Sequence, residues 1–293
     1  MRKFADIAVL AAGILWGLAG IFVSRLNALG FTSIQISALR WILSAILMPA
    51  VVFFIDKDKL KIKICDLGWF FCTGILCILL SSTLYFVTIP LTTAAVANIL
   101  MYTSPIWIMI FSLIFFKENL TESKLTALFL AFFGCAFATG VISKSSLSFA
   151  PLGIVTGMLS GLFYGLYSIF GKFVLKKYDS ITVTLYTVIF AGGGALFMIN
   201  IPQTASLIVL ERAYLLIILL AVLVTILPYT FYTVGLKNSS SMRAGILCCI
   251  EPVTSSLAGT FLLNQPFTLF QLLGIIMILL SGIILGFKKT SDL

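Results

Sequence analysis

Ten apolar runs, each about as long as one bilayer crossing, constrain this chain more than any other feature of its sequence. Short charged or turn-rich breaks separate the runs. A helix needs about 20 apolar residues to cross the hydrocarbon core of a bilayer. The pattern therefore predicts an all-α integral membrane protein with ten membrane-spanning helices. The predicted spans cover residues 5–24, 34–55, 67–88, 94–116, 123–142, 151–171, 181–201, 213–236, 242–263 and 268–287.

The composition leaves no room for a large soluble domain. Hydrophobic side chains make up 61% of the 293 residues and charged ones only 10%, against about 25% charged residues in soluble domains. Histidine is absent, and the six cysteines form no CxxC pair. These absences remove His-based catalysis and the usual zinc ligands. We therefore expect a protein that is not an enzyme and that carries no metal and no cofactor.

The net charge of +9 has two explanations, a nucleic-acid partner or orientation in a membrane. If the N-terminus is cytoplasmic, the loops on that side carry 15 of the 19 basic residues. The opposite loops carry Arg25, Lys144 and Arg212, and Arg40 falls inside a span. Cytoplasmic loops of membrane proteins are enriched in Lys and Arg, so orientation explains the charge and we expect no nucleic-acid partner. We predict a multi-pass protein of a bacterial plasma (inner) membrane with both termini in the cytoplasm.

The chain repeats itself after about 147 residues. Residues 13–22 match residues 161–170 at five of ten positions. Each half holds five predicted spans, and this odd number places the second half in the membrane upside down. We predict two inverted five-helix repeats, residues 1–147 and 148–293, a plan that recurs in secondary transporters. Equivalent residues include Trp16 and Tyr164, Tyr85 and Tyr232, and Pro105 and Pro252.

The paired prolines are the strongest local signal. Proline removes one helical hydrogen bond and frees the carbonyl four residues earlier, here that of Met101 or Cys248. Helix breaks at equivalent positions in two halves indicate a binding site near the middle of the bilayer. Kinks that serve only helix packing are the alternative.

Two charged residues inside spans are candidates for function. Glu251 is the only acidic residue deep in any predicted span, and a carboxylate is costly there unless it faces a cavity or a partner. We hypothesise that Glu251 contacts a cationic part of the substrate or carries a coupling proton, and a structural hydrogen bond is the alternative. For Arg40 we favour a structural role, in which its guanidinium reaches the membrane interface or binds backbone carbonyls. Pairing with an anionic substrate is the alternative.

Aromatic residues are expected to form the walls of a cavity. Asn98, Tyr102 and Pro105 share one helix face at spacings of four and three. Aromatic walls with few polar groups suit small organic solutes with apolar or ring portions. The candidate cavity residues are Trp16, Tyr85, Asn98, Tyr102, Pro105, Tyr164, Tyr232, Glu251 and Pro252, with Arg40 as a second charged candidate beside Glu251.

The whole chain resembles the EamA family of the drug/metabolite transporter superfamily. The resemblance rests on the short spans, the five-plus-five duplication and a set of short motifs. It implies a carrier of amino acids, nucleobases, related metabolites or toxic compounds. Two positions depart from the family pattern: Gln265 stands where a second glutamate is common, and Thr187 is the counterpart of Arg40. The motifs are Trp16-Gly17, Arg40, Ser104-Pro105 followed by Lys117-Glu118, and Glu251-Pro252.

We therefore predict a secondary transporter that exports a small organic metabolite, amino acid-like or nucleobase-like, by alternating access. Its expected partners are the substrate, the lipid bilayer and a candidate coupling proton, and we expect a monomer or a homodimer. A multidrug or toxic-compound efflux pump is the nearest alternative. A channel and a membrane-embedded enzyme fit less well, because the spans offer few polar residues for a pore and no catalytic set.

Overall fold

A computed structural model of the chain describes residues 2–140 and 150–287. Within these residues the chain forms helices and short connections without a strand, so the predicted all-α class is confirmed. The predicted boundary between the halves, at residues 147 and 148, lies outside the described residues. Lys144, Lys288 and Lys289 also lie outside them.

Ten helices, named α1 to α10, follow the predicted spans. A short helix, Ile201–Leu210, precedes α8, and a 3-10 turn, Lys57–Leu60, precedes α3. The ten helices are α1 Lys3–Ala28, α2 Ser33–Ile55, α3 Ile64–Leu91, α4 Ala94–Phe116, α5 Glu122–Ala138, α6 Pro151–Val174, α7 Ser180–Met198, α8 Tyr214–Lys237, α9 Ser241–Leu263 and α10 Leu269–Phe287.

Nine helices of the described chain are long and apolar enough to cross a membrane, which makes the protein a multi-pass membrane protein. The exception is α5, which has 17 residues where the sequence predicts a span over 123–142. Residues 141 and 142 lie outside the described part. α5 packs along α10, where a Cβ on Gly134 would lie 3.0 Å from the backbone oxygen of Gly274. The count of ten crossings stays a prediction.

The two predicted proline breaks are present at equivalent positions. α4 is interrupted between Met101 and Ser104, and α9 is interrupted between Cys248 and Ile250. Each proline lies in the first turn of the resumed helix, where its missing N–H removes no helical hydrogen bond. The breaks therefore follow directly from the sequence.

Other backbone irregularities recur with the same spacing of 147 residues. π-helical turns occupy Cys72–Leu79 in α3 and Val222–Ile226 in α8, so that residues 75–79 correspond to 222–226. Lys117 and Asn264 follow α4 and α9 in the left-handed conformation, with φ of 50° and 52°. The two halves thus share one backbone plan. Equivalent residues also cap helices: Thr32 and Asp179 cap α2 and α7, and Thr93 and Ser240 cap α4 and α9.

The two halves interlock instead of lying side by side. α1 packs on α8 and α9, while α6, its counterpart, packs on α3 and α4. α2 packs on its own counterpart α7, and α5 packs on α10. This exchange is the arrangement expected around a pseudo-twofold axis. It brings side chains of both halves together at the centre of the molecule.

Glycine permits the closest of these contacts. Every fourth residue of α6 between positions 153 and 165 is glycine, and this stripe faces α3 and α4. A Cβ on Gly161 would lie 2.6 Å from the backbone oxygen of Leu100. The stripe therefore lets α6 approach the break in α4, as small residues do between membrane helices.

Candidate substrate site

A cavity of about 420 Å³ lies among α1, α2, α3, α4, α6, α8 and α9. Small-molecule sites commonly have about 300–1,000 Å³, so a small organic solute fits this volume. At one end the lining includes Asn27 and Ser33, beside the α1–α2 connection, and Ala94, where α4 begins. At the other end it includes Trp16 and Glu251. The cavity therefore runs from one end of the molecule to the helix breaks at its centre.

Most of the candidate residues line this cavity. Pro105 and Tyr232 border a neighbouring void of about 20 Å³ that shares Trp16 and Glu251 with the cavity. Pro252 is buried in α9 and lines neither space. A role of any of these residues in transport stays a prediction. The candidates in the cavity wall are Trp16, Arg40, Tyr85, Asn98, Tyr102, Tyr164 and Glu251.

Trp16 is the centre of an aromatic cluster in the wall. The centroid of its ring lies 4.9 Å from that of Tyr229, 5.6 Å from that of Tyr232 and 6.3 Å from that of Tyr164. The contacts with Tyr164 and Tyr229 are edge-on, a favourable geometry for aromatic pairs. The cluster joins α1 of the first half to α6 and α8 of the second. It gives the cavity a rigid apolar surface.

A row of hydrogen-bond donors on α2 faces the same cavity. Ser33, Ser37 and Arg40 all line it, and their spacings of four and three place them on one helix face. Ser37 Oγ and Arg40 Nε are buried without a hydrogen-bond partner among the described residues. Because unpaired buried donors are costly, the row suits the acceptor oxygens of a bound solute. Sequence reasoning missed Ser33 and Ser37.

Glu251 supplies the opposite charge. It lies in the first turn of the resumed part of α9, and Ser255, one turn further on, also lines the cavity. None of the ion pairs in the described chain includes Glu251 or Arg40. Their charged atoms are therefore more than 4.0 Å apart. The cavity wall thus places a basic side chain on α2, over the ring of Trp41 at 4.7 Å, and an acidic side chain on α9, and the two do not form an ion pair.

Tyr85 and Asn98 form one polar unit in the wall. The Tyr85 hydroxyl donates a hydrogen bond of 2.8 Å to Asn98 Oδ1, which joins α3 to the first segment of α4. Asn98 and Tyr102 lie four residues apart and both line the cavity, as their spacing predicts. Pro105, the third residue of that set, lies beyond the break in α4 and borders the small void instead.

The cavity does not reach the other end of the molecule, where charged side chains cluster. This end is called the basic end below. It contains the α2–α3 connection with Lys57–Leu60, the ends of α4 and α6, and the start of α9. The sequence predicts that these segments lie in the cytoplasm.

Interlocked helical repeats around a solute-sized cavity define a membrane transport protein. The EamA-like transporter family matches residues 3–140 and residues 151–287. The chain belongs to this family, and the predicted resemblance is confirmed. The fold of the family implies a membrane protein with inverted repeats, in agreement with the interlocked halves.

Proteins similar to the chain over most of its length are also transporters by name. An uncharacterized transporter of Archaeoglobus fulgidus is 30% identical over 99% of the chain and 100% of its own length. The uncharacterized inner membrane transporter YicL of Salmonella typhimurium is 25% identical over 95% of the chain and 93% of its own length. A crystal structure of another protein shares the fold, with a TM-score of 0.77 and 18% identity over 97% of both chains.

Proposed function

We propose that the chain is a secondary transporter that moves a small organic metabolite across the plasma membrane by alternating access. The cavity that reaches only one end of the molecule carries this proposal. In an inverted repeat, the two halves exchange conformations, and an opening at one end becomes an opening at the other. The cavity is the site around which this exchange occurs.

The charges in the cavity wall support an amino acid-like substrate. Arg40 with its neighbouring serines suits a carboxylate, because a guanidinium donates to both oxygens of such a group. Glu251 suits an ammonium group, and the cluster around Trp16 suits an apolar or ring-shaped side chain. A nucleobase-like solute, whose ring presents donors and acceptors at its edges, is the second form of this proposal.

Export fits the end at which the cavity opens. We infer that the basic end faces the cytoplasm, as Lys and Arg enrichment implies. The cavity then opens to the outside, in the state from which an exporter releases its substrate. Glu251 is the proposed carrier of a coupling proton. No catalytic step is proposed, and the transporter is a monomer or a homodimer.

A multidrug or toxic-compound efflux pump is the second candidate function. The aromatic cluster of Trp16, Tyr164, Tyr229 and Tyr232 favours it, because flat apolar surfaces bind many ring compounds. Such a pump accepts organic cations without a carboxylate. Binding of an amino acid-like substrate instead requires both Arg40 and Glu251.

Counterflow in proteoliposomes tests the proposal. Vesicles are loaded with one unlabelled compound, and uptake of the same radiolabelled compound is measured. The panel contains free amino acids, their methyl esters and N-acetyl derivatives, nucleobases and lipophilic cations. We expect counterflow of free amino acids with apolar or ring side chains, and weak counterflow of derivatives that lack either charge. Counterflow of lipophilic cations alone would assign the efflux function instead, and counterflow of no compound would refute transport of these classes.

A further inference from the structure

Three ion pairs join the two halves at the basic end. In each pair the acid belongs to the first half and the base to the second. Each pair joins helices that pack along each other, α1 with α9, α3 with α6, and α4 with α6. The pair of Glu118 and Lys172 also contacts the α8–α9 connection and the start of α9. The pairs are Asp6 with Arg243 at 2.7 Å, Asp66 with Lys177 at 2.5 Å, and Glu118 with Lys172 at 3.9 Å.

The pair of Asp6 and Arg243 ties α1 to α9 and α10. Nε and Nη2 of Arg243 each donate a hydrogen bond of 2.7 Å to the Asp6 carboxylate. Nη1 of Arg243 donates to the backbone oxygen of Leu285. Arg243 is 8% exposed, so water competes little for this bidentate contact.

One carboxylate oxygen of Glu118 contacts two groups of the second half. This oxygen, Oε1, accepts a hydrogen bond of 2.9 Å from the backbone N–H of Ser241. Lys172, which pairs with the same oxygen, donates a hydrogen bond of 2.5 Å to the backbone oxygen of Ser239. The Glu118 carboxylate therefore loses these partners if the α8–α9 connection or the end of α6 moves away from the end of α4.

The third pair remains charged at neutral pH. Lys177 and the Tyr178 hydroxyl donate hydrogen bonds to the two carboxylate oxygens of Asp66. The hydrogen bond to Asp66 raises the pKa of Lys177. Lys177 therefore stays protonated well above physiological pH.

The repeat does not reproduce these pairs at the opposite end. Of the equivalent positions, only one carries a charge, and no ion pair of the described residues joins the two halves there. The 148-residue spacing seen in α1 gives Ile154 for Asp6 and Ser24 for Lys172, and both are uncharged. At 147 residues the counterparts are Gly153 for Asp6, Val96 for Arg243, Ala213 for Asp66, Gly30 for Lys177, Gln265 for Glu118 and Arg25 for Lys172.

Gln265 has the same backbone setting as Glu118. The N–H of Glu118 donates to the backbone oxygen of Ser112 at 3.3 Å, and the N–H of Gln265 donates to that of Gly259 at 3.1 Å. Each follows a residue in the left-handed conformation. The side chains differ: the amide oxygen of Gln265 lies against Gly259 of α9, whereas the Glu118 carboxylate reaches Ser241.

We propose that this asymmetry sets the resting conformation of the transporter. The contacts of Glu118 and Lys172 with Ser241 and Ser239 hold the basic end closed and favour the state that is open at the other end. When the other end closes, the pseudo-symmetry brings Gln265 towards the start of α4, the counterpart of the start of α9, and its uncharged amide forms no ion pair with Arg25, the counterpart of Lys172. The inference rests on the alternating access proposed above.

Two equivalent serines report the conformation without any substrate. Ser33 lines the open cavity, whereas its counterpart Ser180, at the basic end, is 7% exposed. Each is changed to cysteine separately, after the exposed Cys65 has been changed to serine. The rate of reaction with a water-soluble maleimide is then measured on detergent-purified protein. Opening of the basic end raises the rate at Ser180→Cys and lowers it at Ser33→Cys.

Three variants test the proposal from both ends. Gln265→Glu adds an acid at the open end, and Glu118→Gln removes one at the closed end. Each is expected to raise labelling of Ser180→Cys about two- to fivefold, the size of effect that one accessible ion pair supplies. The combined exchange is expected to have the largest effect. Asp58→Asn is the matched control, because the Asp58–Lys61 pair at the same end is exposed and lies within the first half.

The outcomes separate this inference from the proposed function. Unchanged labelling at both reporters in Gln265→Glu, in protein that unfolds at the wild-type temperature, overturns the inference even if Glu118→Gln fails to fold. An equal change in Asp58→Asn also overturns it. Shifted labelling together with no counterflow of any compound supports the conformational inference and refutes transport of the proposed substrate classes.

Discussion

Gly17 of α1 lies directly against the backbone of Glu251. A Cβ at position 17 would be 2.6 Å from the backbone oxygen of Glu251, 2.5 Å from Thr254 Cβ and 3.0 Å from the backbone nitrogen of Ser255. Two of these atoms belong to the backbone and cannot move as the tip of a side chain does. The glycine therefore sets how closely α1 approaches the charged residue of the cavity, and with it the position of Trp16 beside Glu251.

Gly17→Ala is expected to impair transport by pushing α1 away from α9. Overpacking of this kind costs about 1–3 kcal/mol, so we expect a lower unfolding temperature in detergent and reduced counterflow. Gly193→Ala is the matched control, because no atom lies within 4 Å of a Cβ at that position. Equal behaviour of the two variants would contradict the close contact.

Glu251→Gln is expected to uncouple transport from a pH gradient. The amide keeps the shape of the side chain but cannot exchange a proton. Wild-type uptake into proteoliposomes should respond to an imposed pH gradient, and uptake by the variant should not. Affinity for substrates with an ammonium group should fall about tenfold, the size of one charge-assisted hydrogen bond. Glu122→Gln, at an exposed acid, serves as control, and a normal pH response of Glu251→Gln would remove the proton role.

Arg40→Gln is expected to abolish discrimination between a free carboxylate and its ester. Loss of the guanidinium should weaken binding of the free acid about tenfold or more. The corresponding methyl ester, which has no negative charge, should bind as it does to the wild type. Competition against labelled substrate in counterflow measures both affinities. A parallel loss for acid and ester would indicate that Arg40 acts on the fold and not on the substrate.

Asp6→Asn and Arg243→Gln are each expected to destabilise the protein, and their effects should not add. Loss of one partner leaves the other charge shielded from water and unpaired, at a cost of about 3 kcal/mol. The double variant should lose clearly less than the sum of the single losses. Unfolding in detergent, followed by tryptophan fluorescence, provides the comparison. Additive losses would show that the two side chains do not interact.

The helices and their breaks were predictable, because each follows from local sequence. Apolar runs of about 20 residues specify spans, and the prolines placed the interruptions of α4 and α9 near the observed residues. The length of α5 was overestimated, since its described helix ends at Ala138. Gly140, which follows with a φ of 71°, was a signal for that end.

The partners across the molecule were not predictable from the sequence. The charge pattern placed Lys172, Lys177 and Arg243 at one end but did not find their acidic partners, because pairing depends on how the two halves interlock. The donors Ser33 and Ser37 escaped notice for the same reason. Serine is common in membrane helices and becomes informative only when its face is known to border a cavity.

The opposite charges of Arg40 and Glu251 also have an electrical consequence. Moving one elementary charge through a membrane potential of 100 mV changes its energy by about 2.3 kcal/mol. The ionised side chains of the cavity wall carry one charge of each sign, so their sum is zero while Glu251 is ionised. The six residues of the three ion pairs at the basic end also sum to zero. The half of the cycle that carries a dipolar solute past an ionised Glu251 therefore moves little net charge. Membrane voltage then acts on the other half, in which a protonated Glu251 leaves the charge of Arg40 unbalanced.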